Sequence, residues 1–334
     1  MGEGSYHPLP WQQGTWRQLW QAFTQQRLPH ALLLSGAAGL GKGHFARAFA
    51  QSCLCESPND SGLACGHCRP CQLSMSASHP DFQWIRPDEE SKSGEIKIET
   101  IRDFTDGAAL TAHSGKYKVI AIEPAHRMNH AAANSLLKTL EEPTSGTIIL
   151  LLTDQPARLL PTIRSRCQAV LFHPPGRDEA RTWLEGRIQH ASPDLLLALA
   201  NGAPLKALSL DDPELLKLRE AMLSGFLSLG EGHQDPVKLA GQWVGLAPAL
   251  TLEWLLGWVI DLQYLKTVES PYQLFNPDRT QALQKTADKL NSRALQGYLQ
   301  SLYQASGLID RNINLQLTLE RLLIEWQACA QTAR

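Results

Sequence analysis

Nine residues, Gly36-Ala37-Ala38-Gly39-Leu40-Gly41-Lys42-Gly43-His44, constrain this chain more than any other stretch. An apolar run, Ala31-Leu32-Leu33-Leu34, precedes them, and a helical pattern, Phe45-Ala46-Arg47-Ala48-Phe49, follows. Strand, glycine loop and helix in that order are the setting of a phosphate-binding loop. Glycines let backbone N–H groups close around phosphate oxygens, and the helix N-terminus adds a partial positive charge. Gly36, Gly39, Gly41 and Lys42 are therefore the candidate nucleotide-contact residues, with Lys42 in the place of the phosphate-binding lysine. The next position calls for a Ser or Thr hydroxyl to hold magnesium, and here it is Gly43. The loop predicts an α/β nucleotide-loop ancestry; present nucleotide binding is a separate question.

The partner strands carry the same mixed message. Lys118-Val119-Ile120-Ala121-Ile122-Glu123 reads as a buried strand ending in a carboxylate. An NTPase places Asp-Glu there, one residue for magnesium and one to activate water. This chain has Glu123-Pro124, and proline cannot act as a base. His126 is expected to be a surface histidine starting the next helix rather than a substitute base. That helix, 129–142, shows Ala133, Leu136, Leu137 and Leu140 on one face and stops at Pro143. Another buried strand, Thr147–Leu152, ends in Thr153-Asp154, where a polar side chain often senses the terminal phosphate.

Between loop and strand lies Cys65-Gly66-His67-Cys68-Arg69-Pro70-Cys71, two overlapping C-x-x-C steps. Such steps let thiolates reach one metal from a tight turn, and a fourth ligand completes a tetrahedral Cys₄ zinc site. Cys55 is the expected fourth ligand, being nearer the loop than Cys53; His67, between two bound cysteines, is poorly placed to compete. The set Cys55, Cys65, Cys68 and Cys71 shows no open position or carboxylate base, so it reads as structural.

Elsewhere the sequence speaks of organisation. Trp16, Leu19, Trp20 and Phe23 are spaced as a helix packed on the following sheet. A polar loop is expected at 87–94, and apolar positions 98, 101 and 104 fit a helix start. From His173-Pro174-Pro175-Gly176 onward the texture is helical, with helices expected over 178–190 and 193–200 and a third near 202–208. After Asp211-Asp212-Pro213 the remainder reads as all-helical, with breaks near 230–236 and 270–277. The apolar run around 250–265 is interrupted by Glu253 and Asp261, which favours a buried helix over a membrane span. Residues 1–5 lack the features of a signal peptide, and a cytoplasmic protein is expected. A net charge of −2 makes any nucleic-acid contact local or shared.

Taken together, Arg27-Leu28-Pro29-His30-Ala31-Leu32-Leu33, the glycine loop, the cysteines, Asn134-Ser135-Leu136-Leu137-Lys138-Thr139-Leu140-Glu141-Glu142-Pro143 and Ser165-Arg166-Cys167 resemble bacterial clamp-loader subunits of the AAA+ class over nearly the whole chain. Gly43, Glu123-Pro124 and Leu205 set it apart from the gamma/tau motor type, which resembles it but carries Ser or Thr, Asp-Glu and a sensor arginine at those positions. The resemblance implies a pentameric arc that opens a ring-shaped sliding clamp and places it on primed DNA. It implies that Arg166 is an arginine finger, acting in trans on a neighbour's ATP. A guanidinium offers fixed donors to phosphate oxygens and stabilises charge as the bond breaks. The implied partners are gamma/tau and delta subunits, the beta clamp, and primer–template DNA through the assembled complex, with no membrane.

The expected architecture is thus a RecA-like α/β AAA+ domain over 1–172 with a zinc module at about 53–75, a helical lid over 173–212, and an all-α collar over 213–334 that oligomerises. The expected role is a largely non-hydrolysing stator with no autonomous activity, whose own loop is vestigial as an ATP site. Two other readings stay open: an active ATPase motor subunit, and a zinc-dependent DNA-binding module.

Overall fold

The computed structural model describes residues 6–88, 94–105, 115–268, 273–308 and 314–332. The N-terminal pentapeptide, most of the polar loop at 87–94, the side chain at position 104 and the start of the break at 270–277 lie outside that description. Two compact units divide the chain, Met1–Glu179 and Ala180–Arg334.

The first unit alternates strand and helix: α1 (Gln13–Thr24), β1 (Ala31–Ser35), α2 (Lys42–Leu54), α3 (Arg69–Met75), β2 (Phe82–Ile85), α4 (Ile98–Thr105), β3 (Lys118–Ile122), α5 (His130–Glu141), β4 (Thr147–Thr153), α6 (Pro161–Arg164) and β5 (Gln168–Leu171). The strands form one sheet in the order β2-β3-β4-β1-β5. Every pairing is parallel, with Leu33 opposite Leu151 and Ile120 opposite Ile149. Strands β1, β3 and β4 are buried at every residue. That is why they read as unbroken apolar runs rather than alternating ones. In an open parallel sheet, ligands gather beyond the carboxyl ends of the strands. The glycine loop leaves β1 there, beside the ends of β3 and β4. This is the RecA-like AAA+ arrangement that the sequence led us to expect.

Helix α1 is anchored through its tryptophans. Trp16 is buried and packs edge-on to Phe45 and Phe49 of α2, at 5.7 and 5.9 Å. A buried indole N–H needs an acceptor. The Ser61 carbonyl in the cysteine-rich loop supplies it at 2.9 Å.

The second unit is helical: α7 (Arg177–Leu184), which begins in the first unit, then α8 (Pro193–Leu199), α9 (Pro204–Ser209), α10 (Pro213–Gly230), α11 (Pro236–Trp243), α12 (Pro248–Thr267), α13 (Thr280–Ala287), α14 (Ser292–Leu308) and α15 (Leu315–Gln331). Helices α8 to α12 each open on proline, whose missing N–H costs nothing at the first helical position. Helix α7 stops near Leu184, short of the expected 190. Asp211 accepts hydrogen bonds from the backbone N–H groups of Gln189, His190 and Ala191. Those are the donors a longer helix would have used internally. The core gathers Phe226, Trp258 and Trp326, the first and last stacked at 4.1 Å.

Asp261, which interrupts the apolar run of α12, has no exposed surface. One of its oxygens accepts from Phe275 N–H at 2.8 Å, and the other from Asn276 N–H and Nδ2, both at 2.7 Å. Asn276 Oδ1 in turn accepts from the buried Arg219 guanidinium, which also grips both oxygens of Asp278 at 2.9 Å. Among the described residues, no helix is long and apolar enough to cross a membrane.

Candidate functional site: a glycine loop, a cysteine cluster and a surface arginine

The glycine loop keeps its shape through its own residues. Gly36 has φ +147°, and a Cβ there would lie 2.4 Å from the Phe172 carbonyl oxygen, so no other residue fits. From the N-terminal side, Gln12 Nε2 donates to Leu40 O at 3.0 Å and Gly41 O at 2.9 Å, while Trp11 Nε1 donates to Leu40 O at 3.1 Å. Lys42 is only 8% exposed. Its ammonium donates to the carbonyls of Gly36 and Ala37 at 2.7 and 2.9 Å. Burial pulls the Lys42 pKa down, and the negative charges of Asp154 and Glu123 oppose that fall.

The magnesium side of the loop is rebuilt. A Cβ on Gly43 would come within 2.9 Å of Glu123 Oε1, so a serine or threonine would displace that carboxylate. Arg86 pairs with Glu123 at 2.8 Å. The Arg86 guanidinium also lies over the Trp84 ring, 5.4 Å from its centroid, with Arg47 4.4 Å from the same ring. The cation facing Glu123 is thus a protein side chain, and the following Pro124 offers no carboxylate for a water. His126 corrects the sequence expectation, for it is buried rather than a surface residue. Its Nδ1 lies 2.8 Å from Thr153 Oγ1 and 3.4 Å from Asp154 Oδ1. Thr153 Oγ1 also accepts from Gln155 N–H at 3.0 Å. The hydroxyl at this strand end is occupied within the protein. Among the described residues, then, the Lys42 ammonium, the Glu123 carboxylate and the Thr153 hydroxyl each have a partner within the protein.

The cysteine cluster forms where the chain leaves α2 and enters α3. One thiol sulphur from each of Cys55, Cys65, Cys68 and Cys71 lies within 4.8 Å of all the others. Cys55 and Cys68 Sγ are 3.8 Å apart, and Cys65 and Cys71 Sγ 4.0 Å. Four sulphurs held at a zinc–thiolate distance of about 2.3 Å would stand about 3.8 Å apart in a tetrahedron, so the donor set fits a structural metal ion. Backbone N–H groups of Cys65 and Cys68 point at Cys55 and Cys65 sulphurs, at 3.3 and 3.4 Å. The slight burial of Cys65 raises its pKa, but N–H donors from His67 and Cys68 outweigh it and bring the thiol down to about 6. Cys53 lies outside the cluster, and burial pushes its thiol pKa well up. His67 is exposed, its Nδ1 2.9 Å from Cys65 O. Trp16 and Trp20 of α1 hold the loop from outside; a Cβ on Gly62 would strike the Trp20 ring.

Arg166 lies just beyond α6, with its side chain 37% exposed. Its Nη2 meets Glu141 Oε1 at 2.6 Å, and its Nη1 donates to Thr162 O at 3.0 Å. Leu205, half-buried on α9, brings no charge, and the adjacent Lys206 pairs with Glu253 of α12.

Comparison with known proteins decides the family. The profile described as "DNA polymerase III, delta subunit" matches residues 11–176, and its C-terminal counterpart matches 213–328. A curated relative, DNA polymerase III subunit delta' of Pseudomonas aeruginosa, is 35% identical over 324 residues, covering 95% of this chain and 96% of its own length. The chain belongs to the DNA polymerase III delta' family. The delta' subunit of Escherichia coli is 32% identical over 299 residues, covering 87% of this chain and 86% of that one. The tau subunit of Bacillus subtilis, at 33% over 221 residues, covers 62% of this chain but 38% of its own. Among solved structures, a gamma subunit-related protein of Thermotoga maritima covers 96% of this chain and 99% of its own at 20% identity, with a TM-score of 0.45.

In this delta'-family chain the sequence brought the right residues to the loop but missed Arg86 and Glu141. A signal for Arg86 existed. Ile85 pairs with Ile122 in parallel register, so the next residues, Arg86 and Glu123, leave adjacent strands side by side. Glu141 had no such signal, because its partner comes from a turn beyond the next strand.

Proposed function

We propose that this chain is the stator of a clamp loader: a largely non-hydrolysing delta' subunit that donates Arg166 to ATP bound on a neighbouring motor subunit. The observation that carries this reading is the rebuilt magnesium side of the loop. Gly43 has no hydroxyl, Glu123 is paired with Arg86, and Lys42 is turned onto the loop's own carbonyls. An arginine finger needs no intact site on its own subunit, so these losses are compatible with retention of Arg166. The family relationship supports gamma/tau and delta subunits as partners, with the beta clamp and primer–template DNA engaged by the assembled complex. Contact with DNA would run through backbone phosphates and be pooled across subunits.

In this reading residues 1–172 are the AAA+ domain, 173–212 the lid and 213–334 the collar through which the subunits assemble. The cysteine module binds zinc through Cys55, Cys65, Cys68 and Cys71, and the metal ties the loop after α2 to α3. Gly36, Gly39, Gly41 and Lys42 shape a loop retained for the fold, and the protein acts in the cytoplasm.

Reconstitution with the motor subunits tests the assignment. Arg166→Ala is expected to leave assembly intact and to depress clamp- and DNA-stimulated ATP hydrolysis, by up to about 10³-fold at the site it serves. Unchanged hydrolysis would remove Arg166 from the role. The isolated chain is expected to show no magnesium-dependent ATP turnover; turnover abolished by Lys42→Ala would make it a motor instead.

A further inference from the structure

The ion pair between Arg166 and Glu141 is odd as a stability device. Both side chains are substantially exposed, at 37% and 51%, and exposed pairs contribute little to stability. Glu141 is also the last residue of α5, where the helix dipole disfavours a carboxylate. Nothing about the helix itself calls for glutamate there. What the pair does have is geometry. The two terminal nitrogens of Arg166 are held by different anchors, Nη2 by Glu141 Oε1 at 2.6 Å and Nη1 by Thr162 O at 3.0 Å. Both anchors rest on one core, since Leu136 and Leu140 of α5 share a cluster with Leu159 and with Ile163 of α6. The backbone of Arg166 is fixed as well, its N–H donating to Ile163 O at 3.1 Å.

We infer that Glu141 is a positioning residue for Arg166, clamping the guanidinium in an outward-ready pose before any nucleotide-bearing neighbour arrives. The inference rests on the proposed trans role of Arg166. A free arginine has many rotamers, and ordering it at an interface opposes binding and transition-state stabilisation. Two anchors on one rigid core remove most of that freedom in advance, as preorganisation requires. The remaining N–H directions of the fork stay available to an anionic ligand, because Glu141 engages one nitrogen rather than chelating two.

The test is a double-mutant cycle in the reconstituted complex, with ATP as the probe and assembly checked by sedimentation. Glu141→Ala is expected to lower the stimulated kcat about three- to tenfold while leaving KM for ATP within about twofold. Glu141→Gln, which keeps an oxygen acceptor, is expected to recover most of that loss. In an Arg166→Ala background, Glu141→Ala should have no further effect, because it acts only through the arginine. A full-strength Glu141→Ala complex alongside an impaired Arg166→Ala complex would overturn this inference alone. So would losses that simply add. An unimpaired Arg166→Ala complex would overturn the finger reading, and this inference with it.

Discussion

Replacing Asp261 by alanine should unfold the helical unit at markedly lower denaturant or temperature. The carboxylate is fully buried and accepts from three donors, the N–H groups of Phe275 and Asn276 and the Asn276 side-chain amide. Each buried donor left without a partner costs about 1–3 kcal/mol. Asn276 also anchors Arg219, which is 3% exposed, so the loss spreads to a buried cation. Relaxation limits the sum, and removing one partner of a buried charged network typically costs about 3–5 kcal/mol. For a domain of this size that corresponds to roughly 10 °C in Tm. Asp261→Asn keeps one oxygen, which can serve the two Asn276 donors, but sets its NH₂ against the Phe275 N–H. Its cost should be nearer 1–3 kcal/mol. Lys217→Ala, at a fully solvated pair with Glu214, should stay within about 0.5 kcal/mol. Urea unfolding of the full chain, followed by hydrogen exchange across α12 and residues 273–279, reads the helical unit separately from the sheet. An Asp261→Ala chain within about 1 kcal/mol of wild type would refute the reasoning, as would an asparagine variant as damaging as the alanine one.

Three further outcomes follow. Cys65→Ser, or chelation, should raise hydrogen exchange across residues 55–75 while the buried strands keep their protection; α3 has only seven residues and is too short to persist alone, so unchanged exchange would argue against a metal. Gly43→Ser should not create magnesium-dependent ATP turnover, because the new Cβ meets a carboxylate already paired with Arg86 and Pro124 still supplies no base; a hydrolysis assay on the purified variant reads this directly. Burial raises the Asp211 pKa, but three backbone N–H donors outweigh it and hold the carboxyl below its ordinary value. The stability this contributes is present above about pH 4 and is lost as pH falls through the lowered pKa, so Asp211→Ala should weaken the fold at neutral pH and flatten its acid-side decline in a pH series of urea melts.

The parts that were legible in sequence share a cause. Buried parallel strands must be apolar throughout, so Ala31–Leu34 and Thr147–Leu152 announced themselves. Closely spaced thiols have few places to go, so Cys65, Cys68 and Cys71 were readable, and the gathered cluster contains Cys55 rather than Cys53. What escaped was set by distance along the chain. His126 looked like a surface histidine because its neighbours Thr153 and Asp154 arrive on another strand. Helix α7 was read too long because the carboxylate that takes the N–H groups of residues 189–191, Asp211, lies some twenty residues away. The acceptor of the Trp16 indole escaped because nothing local reveals that Ser61 will offer one. Asp261 was read only as a break in an apolar run, whereas it organises the segment that follows α12.

The Arg86–Glu123 pair has a consequence beyond the loop it flanks. A ligand shifts a protein's conformational equilibrium only through its differential affinity for the available states. In a working NTPase, magnesium and nucleotide supply that difference, and the shape of the site follows their concentrations. Here a guanidinium fixed in the sequence faces the carboxylate, and a covalently tethered ammonium fills the carbonyl mouth of the loop. Neither cation can be diluted, chelated or hydrolysed away. In the stator reading proposed above, the geometry of this end of the sheet would therefore not follow the cell's ATP-to-ADP ratio, and moving neighbours would register their own state against it.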